Sequence, residues 1–313
     1  MVTRKIIIDT DPGQDDAVAL LLALASPGEL HVLAITTVAG NVPVPLTTVN
    51  ALKMVELARR TEVPVYAGCD RPMVRPLITA EYVHGRTGLD GADLPEPVTA
   101  PGTGHAVDRI IDLVMEHEPG SITICPLGPL TNVGTAITRA PEIVSRIREI
   151  VLMGGGFFEG GNTTAAAEFN IFVDPHAADV VFRSGVPITV MPLDVTHRAL
   201  ILPRHLKRFA AMGTPVGGAV HGLLAFYERY DVEKYGLEGG PLHDPCVIAY
   251  LLHPELFTGK LVNVTVETGS ELTMGMTVAD WWGMSSRPRN ARWIRGVDAD
   301  GFFDLLVDRL SRL

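Results

Sequence analysis

Four aspartates fall within eight residues near the start of the chain, in Lys5-Ile6-Ile7-Ile8-Asp9-Thr10-Asp11-Pro12-Gly13-Gln14-Asp15-Asp16-Ala17. Two carboxylates ~5 Å apart at an effective dielectric of ~20 repel by roughly 3 kcal/mol, so the crowding calls for positive charge. A helix N-terminus supplies part of it through its free N–H groups and dipole. A hard divalent cation supplies more: calcium takes ~6–8 oxygen ligands in irregular geometry, whereas magnesium holds to an octahedron and keeps its water. Carboxylates at Asp11, Asp15 and Asp16 are half of such a shell. One aspartate here would read as a helix cap; four ask for more.

The elements around them follow from hydrophobic pattern. Ile6-Ile7-Ile8 is a β-branched buried strand, Asp11-Pro12-Gly13 a tight turn, and the apolar run after Asp16 a helix with acidic residues at its start. Strand starts near residues 5, 31, 63, 121, 149 and 188, with helical segments between them, predict βα units. The expected fold is α/β, a single domain over 1–313 with an open, mostly parallel β-sheet flanked by helices. The pattern breaks at 70–104, rich in proline and carrying Val83-His84-Gly85, and again at 157–174, carrying Asn162, Glu168, Phe169 and Asn170. Both are read as long functional loops. A β-hairpin is expected across 260–278, with Gly269-Ser270 near its turn, then a late strand at 291–297 and a closing helix.

Composition narrows the function. A net charge of −10 with scattered basic residues argues against a nucleic-acid groove. Hydrophobic residues at 47% and a mean hydropathy of +0.23 suit a soluble α/β enzyme, and no apolar run approaches the ~20 residues of a membrane span. Cys69, Cys125 and Cys246 lack metal or redox spacing and are expected to be reduced, as in a cytoplasm.

In open α/β sheets ligands collect beyond the carboxyl ends of the strands. Asp11, Asp15 and Asp16 follow the first strand, Asn41 the second, Leu127 the strand at Cys125, and Met153 with three glycines the next. Glu168 and Asn170 alternate with apolar neighbours and are expected on one side of an extended segment. Tyr227, Asp231 and Tyr235 recur along one face of the helix before His243, readable as a solvated face or as a lid over a base.

The motifs Asp9-Thr10-Asp11-Pro12-Gly13-Gln14-Asp15-Asp16-Ala17, Val83-His84-Gly85, Gly128-Pro129-Leu130-Thr131-Asn132, Glu168-Phe169-Asn170 and His243-Asp244-Pro245 run in this order. Together they resemble the inosine-uridine preferring nucleoside hydrolases. The resemblance implies a nucleoside hydrolase fold with a Rossmann-like core, and Ca²⁺ held by Asp11, Asp15, Asp16, the Leu127 carbonyl and Asp244. It implies hydrolysis of the N-glycosidic bond of purine or pyrimidine ribonucleosides, in salvage or catabolism, by a cytoplasmic homodimer or homotetramer. Asp15 becomes the general base and His243 the candidate general acid, with His84 beside the base. Asn41, Asn162, Glu168 and Asn170 would hold ribose hydroxyls, and Met153 would line the sugar pocket.

The chemistry is coherent, since cleavage builds oxocarbenium charge on ribose that carboxylate and amide oxygens stabilise. Two competing readings remain. One is a metal-dependent phosphohydrolase, which the missing Gly-rich phosphate cradle disfavours; the other is a catalytically silent nucleoside- or ribose-binding protein.

Overall fold

The computed structural model describes residues 3–236 and 238–313, with the side chains of Tyr230, Asp231, Lys234 and Tyr235 outside the description. Among the described residues there are ten strands: β1 (Arg4–Thr10), β2 (Leu30–Thr37), β3 (Val65–Ala67), β4 (Ile122–Pro126), β5 (Ile147–Met153), β6 (Ile188–Met191), β7 (Phe257–Val262), β8 (Val264–Val266), β9 (Thr277–Ala279) and β10 (Ala291–Val297). Eight form one sheet in the order β3-β2-β1-β4-β5-β6-β10-β7. Every pairing in it is parallel except β10 with the edge strand β7.

The order explains where a site forms. From β1 the chain winds outward through β2 to β3, then returns to place β4 on the other side of β1. The connections leaving β1 and β4 therefore diverge, opening a crevice at their carboxyl ends. Side-chain alternation divides the core, with Ile6 and Ile8 packed on one face of the sheet and Ile7 on the other.

The helix Gln14–Leu24 is buried along its whole length. A helix that is apolar all round needs cover on every side. Here it packs against the helices Val44–Leu57 and Pro245–Leu252. The second of these matters most, because Asp244 is its N-cap residue and so arrives beside the start of Gln14–Leu24.

Three expectations need correction. The segment 260–278 is not one hairpin: Lys260 lies in β7 of the main sheet, and the separate hairpin pairs Val264 with Ala279. The break has a cause, since Asn290 accepts from the Val264 N–H and donates to its carbonyl while Asn263 donates to the Pro288 carbonyl. The loops 70–104 and 157–174 hold the short helices Glu81–His84 and Phe169–Val173. Glu168 and Asn170 accordingly stand at the start of a helical turn, with Glu168 as its N-cap, and not along an extended segment. Among the described residues no helix is long and apolar enough to cross a membrane.

Candidate active site

The start of the helix Gln14–Leu24 sets the acidic cluster. Asp15, Asp16 and Asp244 each offer an oxygen, and these three atoms lie within 4.8 Å of one another. Asp16 is held from several sides: Oδ1 accepts from the Thr10 hydroxyl, and Oδ2 from the Gly13 N–H at 3.0 Å and the Asn41 Nδ2 at 3.1 Å. Asp11 adjoins through Asn41, whose backbone N–H donates to Asp11 Oδ2 at 2.7 Å. Asp11 Oδ1 is buried with no hydrogen-bond partner.

Space for the Asp11 carboxylate comes from two glycines after β2 and β4. A Cβ on Gly40 would lie 2.0 Å from Asp11 Oδ2, and one on Gly128 would lie 2.2 Å from Oδ1. Gly128→Ala is therefore expected to displace that carboxylate, at an overpacking cost of about 1–3 kcal/mol. Divalent-cation affinity measured by titration calorimetry should fall by about tenfold or more; unchanged affinity would show that Asp11 takes no part in cation binding.

Asp9 departs from the expected crowd. Its Oδ1 accepts from Asn132 Nδ2 at 2.8 Å and Thr36 Oγ1 at 2.6 Å, and burial raises its pKa to about 7. The other four carboxyls are raised too. Burial and the Asp16 charge push Asp15 up to about 8. Burial, with neighbouring carboxylates, drives Asp11 and Asp244 well above the carboxylate range, and burial raises Asp16. Such a group is stable in its ionised form only with compensating positive charge. The oxygen-only donors Asp15, Asp16 and Asp244, with the orphaned Asp11 Oδ1 nearby, fit a hard divalent cation.

Above the cluster opens a crevice of about 610 Å³, counting space open to solvent. Its walls bring together Asp15, Asn41, Leu127 and Asp244 with Met153, Asn162, Glu168 and Asn170, and with His84, Tyr227 and His243. Every described side chain expected at the site lines it except Asp11 and Asp16, which are hydrogen-bonded to the lining residue Asn41. Of the expected lid, Tyr227 is present, while the side chains of Asp231 and Tyr235 lie outside the described residues.

The amide and carboxyl groups of the crevice are fixed by internal bonds. Asn170 Nδ2 donates to the Leu127 carbonyl at 2.6 Å and contacts Met153 O and Sδ. Glu168, raised by burial, accepts from the backbone N–H groups of Gly155, Asn170 and Ile171. Asn162 Oδ1 accepts from the Phe169 N–H at 3.0 Å. Asn41 differs from the expectation in one respect: its Nδ2 is engaged by the Asp11 carbonyl and Asp16, which leaves Oδ1 for a ligand.

On the other side, Gln14 settles a tautomer. Its Nε2 donates to the carbonyls of His84 and Asp90, so its Oε1 is the acceptor facing His84 Nδ1 at 2.7 Å. His84 therefore carries its proton on Nδ1; burial takes its pKa down to about 3, and its ring stacks on Tyr227. His243 Nδ1 lies 2.7 Å from Thr196 Oγ1, and burial with His197 and His84 nearby holds it well below the ordinary histidine range. Both imidazoles are neutral at neutral pH.

Gln14, Asp194, Thr196 and His197 were not expected here. The last three follow β6, and the available signal was Asp194-Val195-Thr196-His197 directly after a buried strand at its carboxyl end.

Comparison with known proteins agrees with this geometry. A family model described as inosine-uridine preferring nucleoside hydrolase matches residues 6–304. An uncharacterized protein of Schizosaccharomyces pombe is 53% identical over 309 residues, 99% of each chain. The pyrimidine-specific ribonucleoside hydrolase RihA of Shewanella sp. (strain MR-7) is 48% identical over 99% of this chain and 97% of its own. Among solved structures, a purine-preferring ribonucleoside hydrolase from Gardnerella vaginalis superposes with a TM-score of 0.92 at 34% identity, covering 98% of both chains. With an acidic cluster, a further carboxyl, three amides and two histidines around one crevice, the chain belongs to the inosine-uridine preferring nucleoside hydrolases, glycosidases that act on ribonucleosides.

Proposed function

We propose that this crevice hydrolyses the N-glycosidic bond of ribonucleosides with Ca²⁺ as cofactor, and takes pyrimidine nucleosides ahead of purine ones. One observation carries the reading: an acidic cluster meets a wall of amides and a carboxylate, and among the described residues no lysine or arginine lines the crevice. A phosphohydrolase would need cations there to meet its substrate. The pyrimidine preference rests on the 48% identity to RihA over nearly the whole chain.

In this reading ribose sits above the cluster, its hydroxyls bonded by Asn41, Asn162, Glu168 and Asn170 and its ring against Met153. Their prior engagement with backbone groups holds them in place, so little reorganisation accompanies binding. Bound Ca²⁺ supplies charge that neutralises the carboxylates and acidifies water. Asp15, which belongs both to the acidic cluster and to the crevice wall, takes the proton from the attacking water. Departure of the base places positive charge on the sugar, which the Glu168 carboxylate faces. His243 stands on the base side as a neutral imidazole, so its part is to give an N–H to the base as it leaves. His84 and Tyr227 pack as a stacked pair beside it.

The same reading makes the enzyme a cytoplasmic one of nucleoside salvage, working on small molecules as a homodimer or homotetramer, away from nucleic acid and membranes. The three free cysteines accord with a reducing compartment.

Ribose release from uridine, cytidine and inosine tests it, with p-nitrophenyl phosphate as the competing substrate. We expect kcat/KM for uridine and cytidine to exceed that for inosine by about tenfold or more. Inosine as the better substrate overturns the pyrimidine assignment, and phosphate release without ribose release overturns the reaction.

A further inference from the structure

β6 ends at Met191 and leads into a single helical turn, Leu193–Thr196, that does not line the crevice yet holds the loop that does. Asp194 is 1% exposed. Its Oδ1 accepts three consecutive backbone N–H groups, from Phe157 at 3.3 Å, Phe158 at 2.8 Å and Glu159 at 2.8 Å. Its Oδ2 accepts from the indole Nε1 of buried Trp293 at 2.7 Å. Just before this point, the Leu193 N–H donates to the Gly155 carbonyl. From the outside, the ring of Phe158 meets Trp281 edge-on and lies under the Arg295 guanidinium.

The loop so clamped runs directly to the sugar side. Gly155 donates to Glu168, and Asn162 accepts from Phe169. An oxygen serving three N–H donors needs the full charge of a carboxylate. An asparagine would bring a weaker acceptor, and with Oδ1 kept on the loop it would turn its own N–H groups toward the indole N–H.

We propose that Asp194 is a positioning residue for ribose recognition: by fixing residues 157–159 it sets where Asn162 and Glu168 stand, without touching the substrate. The inference rests on the ribose reading above and adds to it the anchor that the sugar side depends on. A displacement of about 1 Å in such a loop can cost up to about a hundredfold in rate.

Asp194→Asn in the full chain tests it. The KM for uridine and the Ki for D-ribose should rise about tenfold, while the Ki for free uracil stays within about twofold. Chymotrypsin cleavage at Phe157 and Phe158 under native conditions should accelerate by about tenfold, because the clamped backbone opens locally. Asp194→Ser, which keeps one acceptor oxygen, is expected to show the same split and serves if the asparagine variant does not fold. Trp293→Phe removes the indole donor but leaves the three loop bonds, so its ribose Ki should stay within about twofold even as Tm falls. Equal weakening of ribose and uracil, or a ribose loss in Trp293→Phe matching that of Asp194→Asn, overturns the proposal. Unmodified protein that neither releases ribose nor is inhibited by it overturns the functional reading and the ribose part of this one. Unchanged proteolysis overturns the anchoring itself.

Discussion

Asp15→Ala is expected to lower kcat for uridine by about a thousandfold or more while changing KM by no more than a few fold. The asymmetry follows from position. Asp15 belongs both to the acidic cluster and to the crevice wall, so with its charge compensated by a cation it stands ionised beside the reacting space. A positioned general base contributes about 10²–10⁴ in rate. The same substitution removes one oxygen from the cation shell, which adds to the loss. The groups assigned to ribose lie elsewhere, on Asn41, Asn162, Glu168 and Asn170, and their internal bonds do not pass through Asp15. Steady-state and single-turnover kinetics separate the two effects. A variant that turns over at the unmodified rate removes Asp15 from the mechanism, and one whose KM rises in step with the fall in kcat/KM makes it a binding residue instead.

Legibility in the sequence followed locality. The Asp-rich turn was readable because strand, turn and helix start are adjacent in the chain, and the chemistry of crowded carboxylates is independent of distant residues. Asp244 joined them only through the resemblance. In physical terms it arrives because a helix buried on all sides, Gln14–Leu24, demands a second helix over it. Where tertiary contacts outweigh local pattern, periodicity misleads. The alternating run after residue 257 looks like one hairpin, but Asn290 captures Val264 and splits it between two sheets. Alternation also suggested that Glu168 and Asn170 shared a face of an extended segment. They share the crevice because Glu168 caps the turn that carries Asn170, a short-range carboxylate-to-backbone pattern that period-two counting does not see. Asp9 shares the acidic turn in sequence, but its partners, Asn132 and Thr36, come from other elements. The Asp194 turn escaped notice because its work is done through backbone N–H groups, which have no residue signature.

Removal of the cation should abolish ribose release, by about a hundredfold at least, and added Ca²⁺ should restore it. The sharper consequence concerns stability against pH. In the metal-free fold Asp15 titrates at about 8 and Asp9 at about 7, each raised from an ordinary 3.8 chiefly by burial. Folded protein then holds protons that the unfolded chain has released, and stability falls as pH rises, by up to about 1.4 kcal/mol per pH unit for each such proton. The contribution is complete below the unfolded value near 3.8 and lost on passing through the folded values near 7 and 8. A bound cation reverses the preference of Asp11, Asp15, Asp16 and Asp244, because it favours their ionised forms in the folded state. Asp9, bonded to Asn132 and Thr36 instead, keeps its slope in both forms. The gap in Tm between Ca²⁺-loaded and chelator-treated protein should thus widen steadily from acidic to mildly alkaline pH. Differential scanning calorimetry in buffers of matched ionic strength measures it, and the loaded form also gains stability by mass action at each pH. A gap that stays constant across that range would mean the four carboxylates do not share one ion. Chelation without loss of turnover would remove the cation from the reaction altogether.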